Sequence, residues 1–179
     1  SQLPMDGGWT YGEVLDKAAA GDFRANMLAG EYWMGLYYLN RGDLPLACLE
    51  HMQHFFRDAA TASGHPAPKL MMTDPYGIFG IFKAQPMQPE HAEWLAACRK
   101  LAEKGDMDAI TALYTVTDLP EAELRRYLAP LEKKAASGDQ DALAQLAFIK
   151  VDWLKENPAN VIETLKQYRK NAKPVLLAR

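Results

Sequence analysis

Ala20-Gly21-Asp22-Phe23-Arg24-Ala25, Lys104-Gly105-Asp106-Met107-Asp108-Ala109 and Ser137-Gly138-Asp139-Gln140-Asp141-Ala142 are one phrase written three times: Gly-Asp, two variable residues, then Ala. Small residues lead into each glycine: Ala18 and Ala19, Ala102, and Ala135 and Ala136. A glycine just past a helical run takes the left-handed backbone that closes the helix. The aspartate after it accepts hydrogen bonds from the free amides of the next helix. Each phrase therefore predicts a helix stop fused to a helix start. Ser63-Gly64-His65-Pro66-Ala67 reads as a decayed fourth copy, its Asp lost and its Ala one place early. Gly21, Gly64, Gly105 and Gly138 fall 43, 41 and 33 residues apart, a range that fits two-helix repeats with insertions.

Prolines supply the second signal. Pro45, Pro89, Pro120 and Pro158 each stand just ahead of an amphipathic run, where proline suits the first helical turn. Thr10-Tyr11-Gly12-Glu13 has the form of a capping box opening a further helix. The punctuation predicts helices over 11–20, 23–40, 45–62, 89–104, 107–117, 120–136, 140–156 and 158–172. No segment alternates as paired strands do. The expected fold is all-α, with antiparallel helix pairs stacked as a short α/α solenoid in a single domain over 1–179. The stretch 61–89 is irregular, with five prolines from Pro66 to Pro89, and admits only a broken helix around Lys69–Thr73 and Tyr76–Ala84. Its Ile78, Phe79, Ile81 and Phe82 are too apolar for a solvated loop. They either pack over neighbouring helices or form a binding insertion.

Composition narrows the function classes. The 179 residues are 49% hydrophobic and 24% charged, enough for a core and too polar for a membrane-buried chain. No apolar run approaches the roughly 18 residues of a transmembrane helix, so no membrane insertion is expected. A net charge of −3 suits a nucleic-acid binder poorly. Residues 155–179 hold six basic side chains against Glu156 and Glu163, leaving the rest acidic. Cations near a helix C-terminus are what its dipole favours, and the same basic end would also meet an acidic patch or a membrane surface. Cys48 and Cys98 either bridge in an oxidising compartment or sit as small buried hydrophobes. Ser1 in place of an initiator methionine suggests that a signal peptide or another upstream piece has been removed, which leans towards a periplasmic or exported location and leaves a cytoplasmic one open.

Candidate chemistry is sparse. Cys48-x-x-His51-x-x-His54 is the one metal-like spacing, and a fourth ligand would have to come from His65 or His91. A single-helix set of this kind lacks paired-knuckle spacing, so no metal and no cofactor is expected. Glu90, Glu93, Glu121, Glu123 and Glu132 read as solvated helix residues, with Glu121 four residues ahead of Arg125. No nucleophile elbow, phosphate loop or zincin helix appears, so no catalytic residue is assigned. Arg41-Gly42-Asp43 spells an adhesion tripeptide, yet Gly and Asp are also what a turn between helices needs.

Helix A of each unit carries a specific pattern. Ala25 is followed by Ala29-Gly30 and then Trp33, Ala109 by Leu113-Tyr114, and Ala142 by Leu146-Ala147. Alanine, a hydrophobe with a small residue, an aromatic, and then a Pro-started helix resembles the Sel-one-like repeat, a relative of the tetratricopeptide repeats. The resemblance runs over roughly 11–172, with Ala25–Trp33 the nearest copy. Tyr114 stands in place of the small residue and Lys150 in place of the aromatic. It implies a scaffold that binds a protein partner along a curved surface and is not an enzyme. A bacterial immunity or adaptor protein blocking a secreted effector is the concrete version. The rival is a regulatory or assembly factor for envelope or secretion machinery, and the outlier is a metal-dependent hydrolase using the histidines. The implied partner-binding face is helix A beside its small-residue stripe. Those positions are Met27, Leu28, Glu31 and Met34, then Thr111, Ala112 and Thr115, then Ala144, Gln145, Phe148 and Val151.

Overall fold

A computed structural model describes residues 8–39, 46–73 and 89–171. Their regular elements are helices: α1 Tyr11–Ala19, α2 Phe23–Leu39, α3 Leu46–Ala62, α4 Pro66–Met71, α5 Pro89–Ala102, α6 Met107–Val116, α7 Glu121–Ala136, α8 Gln140–Phe148 and α9 Pro158–Asn171. The fold is all-α, with no strand among the described residues. Arg41-Gly42-Asp43, the segment Tyr76–Ala84 and its Ile78, Phe79, Ile81 and Phe82 lie outside the described residues.

The starts and stops follow from local chemistry. Thr10 Oγ1 accepts from the Glu13 amide at 3.3 Å while Glu13 Oε2 accepts from the Thr10 amide at 2.7 Å, completing the capping box of α1. α7 has no side-chain cap and starts instead with Glu121 and Glu123 in its first turn, where acid complements the helix dipole.

Two elements differ from the sequence expectation. α4 begins at Pro66, not Lys69, because Pro66 suits a first turn and the His65 side chain caps it. α8 does not run to 156 as an α-helix. It passes at Ile149–Trp153 into a wider π turn, with the Leu154 amide donating to the Ile149 carbonyl at 3.0 Å. Lys155 then takes a left-handed φ of 53°, which ends the helix without a glycine.

Within the span expected as one domain, the chain gathers into two compact units. Unit one is 1–102 with 106–118, and unit two is 103–105 with 119–179. In unit one α2 packs on α1 and α3, and α4 packs on α3, α5 and α6. Its first core cluster joins Val14 and Ala18 of α1 to Ala25, Leu28 and Ala29 of α2, under Trp9 and Phe55. Gly30 lets α2 and α3 approach: a Cβ there would stand 2.6 Å from the ring of Phe56, which is wholly buried. In unit two α7 packs on α8, and α9 packs on both and on the π turn. Leu124, Tyr127, Leu128 and Leu131 of α7 bury there, as do Leu146, Ile149 and Val161. Pro130 lies inside α7, and Gly105 makes room for it, since a Cβ at 105 would meet Pro130 Cβ at 2.7 Å.

Candidate functional site

The three Gly-Asp phrases fold into one structure. Gly21, Gly105 and Gly138 have φ of 84°, 79° and 93°, the left-handed region that glycine enters without strain. The amides of Asp22, Asp106 and Asp139 donate back to the carbonyls of Lys17, Leu101 and Lys134, five residues earlier, at 3.0, 3.2 and 3.2 Å. That bond closes the preceding helix. The same aspartates, through Oδ1, accept from the amides of Ala25, Ala109 and Ala142 at 2.8, 2.9 and 2.9 Å. One residue thus ends one helix and begins the next, and the alanine three places on is buried each time.

The decayed phrase keeps the helix start alone and changes its parts. His65 Nδ1 accepts from the Ala67 amide at 3.1 Å, standing in for the missing aspartate. Its Nε2 lies 3.3 Å from the carboxylate of Asp106, the cap of α6. Beside this pair Arg24 Nη1 donates to Asp108 Oδ1 at 2.6 Å. Arg24 and Asp108 both stand three residues after the glycine of their own phrase. A polar junction therefore joins the first turns of α2, α4 and α6. The His65 ring also leans on Phe23, centroids 5.4 Å apart. The hydrogen bond to Asp106 raises the His65 pKa and lowers that of Asp106. Burial raises the pKa of Asp108, and the Arg24 guanidinium opposes that rise. The sequence signal for this junction was the shared position after each glycine, which is visible only once the copies are aligned.

The residues expected on the binding face divide by burial. Met27, Leu28 and Ala112 are buried in unit one and offer no surface to a partner, because α1, α3 and α5 occupy that volume. Glu31, Met34, Thr111 and Thr115 are half-buried, as is Gln145 in unit two. Ala144, Phe148 and Val151 are exposed, Phe148 at 59% and Val151 at 37%. Trp153 sits edge-on to Phe148, centroids 6.3 Å apart. The π turn explains this, since its wider ring sets a side chain above the one five residues before it. Ile162 of α9, 53% exposed, was absent from the expected face. So was Tyr32, whose ring lies tilted against Tyr11, centroids 4.7 Å apart, and 6.0 Å from Trp33.

The metal-like triplet does not converge. Cys48 is buried, His51 stacks on Trp33 at 4.5 Å, and His54 Nε2 faces Asp58 at 3.6 Å. Among the described residues no three His, Cys, Asp or Glu side chains gather as a metal site would need. Cys48 and Cys98 are both free thiols, and burial pushes that of Cys98 up to about 12. Lys150, where the resemblance wants an aromatic, instead reaches Glu132 at 3.1 Å and Glu156 at 3.6 Å. Arg125 joins the same network through Glu121 and Glu156, at 2.7 and 2.8 Å. Set beside known proteins, the chain matches no family model, no curated protein and no solved structure.

Proposed function

We propose that this chain is a Sel-one-like helical-repeat module that binds a protein partner and performs no chemistry of its own. A bacterial immunity or adaptor protein acting on a secreted effector is the concrete form of that reading. The thrice-repeated junction supports the repeat assignment, since one hydrogen-bonded unit recurs with the same donors, acceptors and buried alanine. Stacked helix pairs would account for it, because a two-helix unit cannot bury its apolar face alone.

The observation that carries the binding role is the exposed apolar edge where α8 passes into the π turn. Phe148 and Val151 stand at repeat positions assigned to the partner face, and Trp153 backs Phe148. Large aromatic side chains held in place by a neighbour are the kind that anchor interfaces. The test is capture of partners by the tagged chain from its native host, followed by mass spectrometry and titration of the recovered protein. Phe148→Ala and Glu31→Arg are each expected to weaken binding by more than about 1 kcal/mol, and Lys166→Ala to leave it unchanged. Full binding by the first two variants, with loss in the third, would move the site to α9.

A further inference from the structure

The first turn of α4 holds a conflict between two hydrogen bonds made by one ring. His65 Nδ1 accepts from the Ala67 amide, so the neutral ring carries its proton on Nε2, which faces Asp106. Both bonds are satisfied only in that tautomer. When the ring takes a second proton, Nδ1 becomes a donor and points at another donor. The cap of α4 is then lost while the contact with Asp106 becomes a full ion pair.

We propose that His65 is a proton-operated latch of unit one: uptake of one proton exchanges the N-cap of α4 for an ion pair with the cap of α6. The surroundings favour the exchange. From α6 the ring meets Asp106 and, farther off, Asp108. From α2 it meets Phe23, while Arg24 offsets the charge of Asp108. From α5 the Cys98 thiol lies near Asp106 and stays protonated, since burial pushes its pKa up to about 12. Just past α3 the Ser63 hydroxyl accepts from the His65 amide at 3.1 Å, which holds the backbone while the ring titrates. The side chain of His65 is 16% exposed, enough for a proton to arrive and too little for water to replace both partners.

The sign follows from the pair. Asp106 raises the folded-state pKa of His65. The ion pair therefore adds stability that is complete below the ordinary imidazole value of about 6.5 and fades as pH rises through the raised one. The cap runs the opposite way, present at high pH and lost at low. Acid thus draws α4 onto α6 while freeing the Ala67 amide.

Nuclear magnetic resonance of the full chain across the His65 titration tests this. At high pH the ring nitrogens are expected to report the Nε2-protonated tautomer. Protection of the Ala67 amide against exchange is expected to fall about fivefold as the ring charges, the change a lost cap produces. Ala109, capped by Asp106, keeps its protection. His65→Asn, which caps without titrating, is expected to abolish the Ala67 step. Asp106→Asn, which still caps α6, is expected to move the step to lower pH. An Nδ1-protonated ring, a flat Ala67 profile through the titration, a step that persists in His65→Asn, or a midpoint indifferent to Asp106→Asn would each overturn the proposal. The wild-type measurements decide the matter even where a variant fails to fold.

Discussion

Cys98 shows how a single residue is set by what surrounds it. The sequence left a bridge to Cys48 or a buried thiol as alternatives, and the structure shows both thiols free and buried. A thiol acts as a nucleophile only as thiolate, and burial, with Asp106 nearby, holds Cys98 near 12. A thiol-specific chromogenic disulfide at about pH 8 is therefore expected to leave the folded protein almost unlabelled and to count two thiols in guanidinium. Rapid labelling of Cys98 in the native protein would show that α5 opens locally. The three glycines at the junctions are equally specific. Their positive φ was legible from Gly-Asp alone, whereas the tight contact of Gly30 with Phe56 was not. Nothing in the sequence around Gly30 names the helix that will cross it.

Elements were the most legible level, because their ends are local chemistry. Asp139 both ends α7 and starts α8, so Asp139→Ala is expected to cost roughly 0.5–2 kcal/mol and Asp139→Asn much less. Gly138→Ala, forced to hold a φ of 93°, is expected to cost roughly 1–2 kcal/mol. Urea unfolding of these variants measures both. Equal stability of Asp139→Ala and wild type would mean that the junction is solvated and holds nothing. Two elements escaped the punctuation. The start of α4 depends on His65, a residue with low standing as a cap, whose ring is fixed by Phe23 and Asp106 from distant parts of the chain. The π turn after α8 follows no local signal; within it Lys150 meets Glu132 of α7, and beyond it Glu156 meets Arg125 of α7.

For the whole molecule, the placement of charge predicts a stability profile with an acid limb. The bond from Arg125 holds Glu156 below the ordinary carboxylate range, and the bond from His65 does the same for Asp106. Carboxylates shifted downward contribute stability above their unfolded values and lose it as pH falls through the folded ones. The thermal midpoint is therefore expected to drop between about pH 5 and pH 3. Asp108 works against this, since burial raises its pKa and makes its charge unfavourable above the ordinary range, an effect that Arg24 offsets. Arg24→Met is accordingly expected to destabilise near pH 7 by about 1–2 kcal/mol, after allowance for an arginine side chain 36% exposed. Scanning calorimetry at a series of pH values checks both effects. An acid limb unchanged by Arg125→Met would remove the Glu156 network from the account.

Helix content, helix ends and the recurrence of one junction could be read from the chain because each rests on residues within five positions of one another. Which side of each helix meets solvent could not. Met27 and Ala144 both stand six residues after the glycine of their own Gly-Asp phrase, yet one is wholly buried and the other exposed. Helical period sets which residues share a side of a helix, but only the helices packed beside it set whether that side meets protein or water. The polar junction of Arg24, His65, Asp106 and Asp108 has the same origin. Its partners are 84 and 41 positions apart. Contacts at that separation are made by the packing of α2, α4 and α6, and no local preference encodes them.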